Sequence, residues 1–265
     1  MVRYQAQVTL EESKLSMAWN LTSMSPRLCL DAGLHRLRDN SDDPQLNYKK
    51  SCFWHVYSLD KNLALNFGRT SNLQDFDITT SYPNSYPWLP NTPWHTLSYC
   101  FIDSSRARSR VYENSYSAHG QRQGQGSKEE SARSIAAEIG RLIAICKVRI
   151  SSKIRYTTTT KFRQGDSGEV PYSDEFNATV GTFLMTLYSI LALTYSSMRP
   201  AHLGNALDFS SECISTARTC LQLHCELSTQ FMARTDNSWR TYIGWWVGFI
   251  PVIILLCYTL RMLPR

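Results

Sequence analysis

The most regular hydrophobic pattern in the chain runs from Phe53 to Phe67. On a period of 3.6 residues its apolar side chains share one side of a helix, and Asp60 falls on that same side. Gly68 follows, and glycine readily takes the left-handed conformation that ends helices. A carboxylate on a buried face needs a donor, because burying it unpaired costs several kcal/mol. We predict that Asp60 caps or pairs with Arg69 or Arg36, and that its role is architectural.

Apolar residues at helical spacing recur in four other stretches. Ser25-Pro26 is typical of a helix start, and this helix is predicted to end near Gly33. The segment 103–130, rich in Ser, Arg, Gln and Gly, is predicted to be a flexible loop. Strand patterns are sparse. Three further helices are predicted over 135–150, 176–191 and 206–234. The sequence therefore predicts an all-α, multi-helix fold with long polar loops and few or no strands.

Composition and charge exclude several classes of function but do not point to a particular one. The net charge of +6 comes from residues 101–170, which carry thirteen Lys and Arg against seven Asp and Glu. The eight cysteines form no C-x-x-C pair and mostly have apolar neighbours, as is typical of reduced thiols in an intracellular protein. Cys220, His224 and Cys225 lack an evident fourth ligand, so we predict no metal site in this chain. No phosphate-binding or nucleophile motif is present, and the sequence favours a protein that is not an enzyme.

The apolar tail allows two interpretations. Residues 242–260 are nineteen consecutive uncharged residues between Arg240 and Arg261, nearly the length of a membrane-spanning helix. Gly244, Gly248 and Pro251 interrupt this stretch and favour two short helices instead. The residues alone leave both a tail anchor and a core segment open.

A set of short motifs in the first hundred residues carries a family resemblance. It begins with Arg27-Leu-Cys-Leu-Asp-Ala-Gly-Leu-His-Arg36 and continues with Phe53-Trp54, Leu59-Asp60, Gly68-Arg69, Asp75-Phe-Asp77-Ile78 and Pro83. In order and spacing this resembles the middle homology region of fungal zinc-cluster transcription factors. Thr70 stands where that family usually has proline. The matching positions, for which the resemblance implies a structural role, are Gly33, His35, Phe53, Trp54, Tyr57, Asp60, Gly68, Arg69, Asp77 and Pro83.

The resemblance implies a domain organisation and also a missing part. It implies that 1–102 is a partial middle homology region, and that 131–265 is the C-terminal helical part of the same regulatory domain, beyond the 103–130 loop. In that part the apolar tail would pack as core rather than span a membrane. The six-cysteine zinc module of the family is not found before Cys29. Zinc is therefore expected only if such a module lies upstream of this chain.

The functional expectation follows from the resemblance. We expect a nuclear transcription regulator of the fungal-specific type that acts through its helical regulatory region, without its own zinc DNA-binding module. Its partners would be proteins, either a full-length regulator or a second copy of the chain, and it would reach DNA only indirectly. The alternative is a tail-anchored membrane protein, held through residues 242–260, with a helical cytosolic part.

Overall fold

The computed structural model describes residues 15–39, 45–84, 92–159, 174–198, 209–231 and 249–262. Within these residues the chain is helical and contains no strand, which confirms the all-α prediction. Two 3₁₀ turns, Leu34–Arg36 and Asp75–Asp77, and a π turn, Tyr112–Tyr116, accompany the α-helices. The α-helices are α1 Leu15–Asp31, α2 Leu46–Phe67, α3 Thr92–Val111, α4 Ala118–Arg122, α5 Gln125–Thr159, α6 Asp174–Ser197, α7 Ser211–Phe231 and α8 Ile250–Met262.

The described residues form two compact units, one ending at Ile135 and the other beginning at Ala136. In the first unit, α2 packs against α1 and α3. Aromatic side chains of α2 form the centre of this core, because Phe53, Trp54 and Tyr57 are completely buried. Cys29, Leu73 and Ile102 complete the cluster from outside α2. The hydrophobic pattern of the sequence therefore placed the core of this unit correctly.

Two glycines end helical segments in the first unit, as predicted. Gly33 has φ 67° and Gly68 has φ 62°, both in the left-handed region that side chains with a Cβ rarely adopt. The Gly68 N–H donates to the carbonyls of the last turn of α2, which is the usual way of closing a helix.

The predicted start of the first helix is wrong. Helix α1 begins at Leu15 and contains Pro26 in its interior. Proline lacks the backbone N–H that hydrogen-bonds inside a helix, so a proline in the interior destabilises the helix. Helix α1 packs along α2, with Trp19 in edge contact with Phe67, and tertiary packing of this kind overrides local preference.

The loop predicted over 103–130 is also wrong, because these residues lie in the end of α3, the π turn, α4 and the start of α5. Small hydroxyl side chains allow this polar segment to be both helical and buried. Ser104 and Ser105 donate to the Phe101 carbonyl of their own helix at 2.9 and 2.7 Å and need no other partner. Composition indicated a loop, but hydroxyls bonded to helix carbonyls fit a packed helix equally well.

The second unit is built by apolar packing among α6, α7 and α8. The inward stripe predicted on α6 is confirmed, since all its members from Phe176 to Leu191 are buried. Among the described helices, the stretch Phe176–Ser197 is long and apolar enough to cross a bilayer, and 72% of its most apolar window is buried within the protein. Burial on that scale is what the central helix of a folded unit shows.

The described part of the apolar tail is helix α8. Its 13 residues are fewer than the ~20 that a spanning helix needs. Pro251 and Ile254 are buried in the second unit, as the resemblance implied, but the opposite side of α8 is exposed. Residues 242–248 of the predicted anchor lie outside the described residues.

Candidate functional site

The family-like motifs come together where residues Arg69–Asn84 cross the first unit. We call this segment the strap. Apart from the 3₁₀ turn Asp75–Asp77 it is irregular, yet it is tied at five successive points to α2, to α3 and to the residues that follow α1. An irregular backbone segment has to satisfy its polar groups outside a helix or sheet.

The first tie is made by Asp60, which is 1% exposed. Its carboxylate accepts hydrogen bonds from the backbone N–H groups of Asn72 and Leu73, each at 3.0 Å. It also accepts from the Ser71 hydroxyl at 2.5 Å and from the Asn72 side-chain amide at 2.8 Å. Charged acceptors make stronger hydrogen bonds than neutral ones, so Asp60 holds the turn that starts the strap.

The prediction that Asp60 is buried is correct, but the predicted partners are wrong. The Arg69 guanidinium lies over the Trp19 ring at 5.3 Å, and Arg36 pairs with Asp77. Asp60 is satisfied by neutral donors, two of which are backbone groups. Those donors leave no trace in a side-chain pattern, which is why the sequence pointed to the nearby arginines instead.

The second tie is a buried polar network that the sequence did not predict. Lys61, 2% exposed, donates from Nζ to the Leu73 carbonyl at 2.6 Å and to the Ser109 hydroxyl at 3.0 Å. Its charge is balanced by Asp75 at 3.1 Å, which also accepts hydrogen bonds from Tyr57 and Ser109. Burial and, secondarily, the nearby Asp75 carboxylate raise the pKa of Tyr57 well above its usual range. Tyr57 therefore stays neutral and keeps its proton for the bond to Asp75.

The third tie joins the strap to the 3₁₀ turn that follows α1. The Thr80 hydroxyl donates to the Leu34 carbonyl at 2.7 Å and accepts from the Leu37 N–H at 2.9 Å. The His35 carbonyl accepts the N–H of Thr79 at 3.0 Å, while the His35 ring lies 3.7 Å from the Asp77 carboxylate. The motif residues His35 and Asp77, 42 positions apart, therefore meet here.

The fourth tie uses Trp54, whose ring N–H donates to the Ser81 carbonyl at 2.9 Å. Beside it, the buried Lys50 donates hydrogen bonds to both Asp39 and Ser81. The hydrogen bond from Lys50 lowers the pKa of Asp39 below its ordinary value, and a second bond from Ser81 acts in the same direction.

The fifth tie closes the strap. The Arg106 guanidinium lies 5.1 Å from the Tyr82 ring centre and at the same distance from the Trp54 ring. The Pro83 carbonyl accepts the Tyr99 hydroxyl at 2.8 Å. The motif positions Trp54 and Pro83 thus contribute to fixing the end of the strap on α2 and α3.

The arrangement holds the shape of the strap. The carboxylates of Asp60, Asp75 and Asp77 all face donors within the unit. Within the described ranges there is no cluster of three or more His, Cys, Asp or Glu placed to bind a metal ion. Between two tied aspartates, Phe76 points outward with 89% of its surface exposed. Among the described residues, Phe76 is the most exposed large hydrophobic side chain.

Comparison with known proteins agrees with the motifs. Residues 7–136 match the fungal specific transcription factor domain. A stretch of 68 residues, 25% of this chain, is 35% identical to 8% of pyrimidine pathway regulatory protein 1 of Saccharomyces cerevisiae. Over 92% of its length the chain is 20% identical to the uncharacterized transcriptional regulatory protein C530.08 of Schizosaccharomyces pombe. The chain spans no more than 30% of the length of either relative, and no solved structure matches it significantly.

Proposed function

We propose that the chain is the regulatory region of a transcription regulator, because residues 7–136 match the fungal specific transcription factor domain. The names of both relatives, which describe regulatory proteins, support this assignment. The chain would act in the nucleus and reach DNA through a partner. A zinc ion would take part only with a six-cysteine module upstream.

The mechanism we propose is occupancy of a protein surface rather than catalysis. The observation that carries it is the commitment of the Asp60, Asp75 and Asp77 carboxylates to internal hydrogen bonds and ion pairs. Acid–base or metal chemistry needs such groups directed at a substrate or an ion. Here they stabilise the shape of one surface of the first unit.

Phe76 is the contact we propose on that surface. Asp75 on one side is bonded to Tyr57 and Lys61, and Asp77 on the other is paired with Arg36. Because the turn is already fixed, placing Phe76 in a partner's apolar pocket would require little further ordering of the backbone. Aromatic anchors of this kind carry much of the binding energy in protein interfaces.

A tethering experiment tests the proposal. The chain is fused to a heterologous DNA-binding domain in yeast, and transcription is measured from a basal and from an activated reporter. We expect the fusion to change at least one reporter severalfold, and Phe76→Ala to remove most of that change without lowering the melting temperature. Tyr48→Ala, which shortens another exposed aromatic of the first unit, is the matched control and should leave the effect intact.

Two results would contradict the proposal. A fusion that alters neither reporter would remove the regulatory role. An effect lost equally with Tyr48→Ala and Phe76→Ala would remove the specific role of Phe76. A fluorescently tagged chain should accumulate in the nucleus of a fungal cell, and its retention in a membrane fraction after alkaline extraction would favour the tail-anchored alternative.

A further inference from the structure

Helix α5 concentrates positive charge in its second half. Between Glu138 and Asp166 the sequence has seven Lys and Arg and no Asp or Glu. Five of the seven lie on α5, at Arg141, Lys147, Arg149, Lys153 and Arg155. We call these five positions the basic face. It places five positive charges within about four turns of one helix.

The stability of the helix does not explain the basic face. Cations stabilise a helix through its dipole only near the last turn, and the last turn of α5 contains no basic residue. From Lys147 to Arg155 no acidic residue stands within four positions, so neighbouring turns supply no ion pair. Arg149 and Lys153 are four positions apart, a spacing at which like charges on a helix repel. The basic face therefore destabilises α5 unless an anion neutralises it.

The register of α5 separates the basic face from an apolar stripe. Because successive positions of an α-helix differ by about 100°, the basic face covers about two-thirds of the circumference. The remaining third holds Ile139, Ile143 and Cys146, which are all buried. Ile150 and Ile154 follow in the same register. The apolar stripe is thus already in use within the protein, and the charge lies on the rest of the helix.

Two members of the basic face have described side chains, and both are exposed. The ion pairs among the described residues involve cations other than Arg141 and Lys147. Lys147 Nζ lies 5.4 Å from the centre of the Tyr188 ring on α6. This contact positions the ammonium group without neutralising it. The charges of Arg141 and Lys147 are therefore available to an anionic partner.

We propose that the basic face binds the phosphate backbone of duplex DNA. Amphipathic helices that bind lipid or a protein groove insert their apolar stripe, which in α5 is already buried. The major groove of DNA is about 12 Å wide and admits a helix, with phosphates along both of its walls. A helix that packs on its own protein through one third of its circumference and is basic on the rest fits this groove.

The contact would not depend on the base sequence. Phosphate contacts position a protein on DNA but carry no sequence information. The choice of a DNA site is therefore still left to a partner, and the basic face adds affinity at whatever site the partner selects. The inference does not rest on the proposed regulatory role, because it depends on the charge and register of α5 alone. DNA binding by the purified chain and reporter activity of the tethered chain can fail separately.

Fluorescence anisotropy of a labelled duplex of about 20 base pairs tests the inference with the full chain. We expect a dissociation constant of roughly 1–100 μM at about 150 mM NaCl. Five phosphate contacts predict that the logarithm of the association constant falls against the logarithm of salt concentration with a slope of about −4.5. The combined variant Arg141→Gln, Arg149→Gln and Lys153→Gln should reduce that slope by about 2.7 and weaken binding at least tenfold.

A matched control removes the same net charge elsewhere. Arg27→Gln, Arg38→Gln and Arg122→Gln together replace three exposed arginines outside α5, and this variant should keep the salt slope of the original chain. If the α5 variant lowers the melting temperature, Arg141→Gln alone replaces it and should reduce the slope by about 0.9.

Each other outcome overturns the inference. A chain that does not bind the duplex at about 50 mM NaCl excludes the site. An equal loss of affinity in both triple variants would assign the binding to net charge rather than to the basic face. Equal affinity for single-stranded DNA of the same length would exclude the groove. Flotation with phosphatidylserine vesicles that the α5 variant abolishes, without duplex binding, would assign the basic face to a lipid surface.

Discussion

Different kinds of interaction stabilise the interior of each unit. In the first, a carboxylate, a lysine and several hydroxyls at fixed positions tie an irregular segment to its helices. In the second, α6, α7 and α8 pack largely through apolar side chains, as in the cluster of Ala192, Cys213, Ala217 and Ile254. Hydrogen bonds demand particular atoms at particular places, whereas apolar packing accepts many residues of similar volume.

This difference coincides with the extent of the family match. The family match ends at residue 136, and the first unit ends at Ile135. Polar ties depend on particular side chains, so their residues form a recognisable motif in one sequence. Apolar packing accepts many residues of similar volume and forms no such motif.

The largest effect in either unit is expected from Asp60→Ala. The substitution leaves the N–H groups of the half-buried Asn72 and the buried Leu73 without their acceptor. Each such group costs about 1–3 kcal/mol, so we expect the free energy of unfolding to fall by about 3–4 kcal/mol. Guanidinium denaturation of the full chain measures the change.

The control for this prediction is Asp31→Ala, which removes an exposed carboxylate at the end of α1. It should change stability by less than about 0.5 kcal/mol. If both variants lose the same small amount, the first unit does not depend on its polar ties and the contrast with the second unit is lost.

The contrast also predicts that added side-chain volume in the core destabilises the second unit. A Cβ at Gly181 of α6 would lie 2.7 Å from a methyl carbon of Leu227 on α7. Gly181→Val should therefore lower the free energy of unfolding by about 1–3 kcal/mol through overpacking. Gly140→Val, where a Cβ meets nothing within 4 Å, is the control and should cost little.

A double-mutant cycle sharpens this test. Leu227→Ala removes the side chain that the introduced valine would strike, so the combined loss in Gly181→Val with Leu227→Ala should be smaller than the sum of the single losses. Strict additivity would mean that α6 and α7 do not meet at this point.

A smaller effect is expected at the junction between α2 and the strap. Gly68→Ala places a Cβ on a residue with φ 62°, and we expect a loss of about 1 kcal/mol from backbone conformation alone. Surrounding atoms are not the cause, because nothing lies within 4 Å of that Cβ. Gly140→Ala, at an ordinary helical position, should instead raise stability by about 0.5–1 kcal/mol in the same denaturation experiment.

The stability of the second unit is also expected to depend on alkaline pH. Burial raises the pKa of the Cys213 thiol and of the Cys220 thiol to about 12 each. Because the folded pKa exceeds the unfolded pKa, the stabilising contribution is complete below the unfolded pKa and declines as pH rises toward about 12. Melting curves between about pH 8 and pH 10.5 should show this decline, and Cys213→Ala should make it shallower.

Thiol labelling gives an independent check on these cysteines. With iodoacetamide near pH 8, the exposed Cys225 should react quickly, while Cys213 and Cys220 should react only as the unit opens. Equal labelling rates at all three positions would contradict the buried apolar packing of α6 and α7.

The helices and the apolar cores were predictable because they depend on periodicity. The stripes on α2 and α6 identified Phe53, Tyr57, Phe183 and Leu187 as buried, and all four are. The sequence pattern did not predict the second half of α3. Ser104, Ser105 and Arg108 are buried there, although residues of these types are usually exposed. A pattern of side-chain hydrophobicity cannot register hydroxyls that are satisfied by their own helix.

The site was predictable as a set of positions but not as a set of contacts. The motif identified Asp60 and Asp77, yet gave no indication that Asp60 binds backbone N–H groups or that Lys61 is buried beside Asp75. These partners depend on the path of the strap in three dimensions, and an irregular path has no sequence period. The structure therefore corrects the partners while leaving the motif positions in place.

The ties to the turn after α1 also bear on the order in which the chain folds. The bonds from Thr80 to Leu34 and Leu37, and from Arg36 to Asp77, join residues 41 to 46 positions apart. Contacts this distant in sequence require the closure of a long loop, and they form slowly compared with helical turns. The strap should therefore dock last, after α1 and α2 have met. Weakening Thr80 would then speed unfolding far more than it slows folding, which gives this small segment control over how long the unit stays folded.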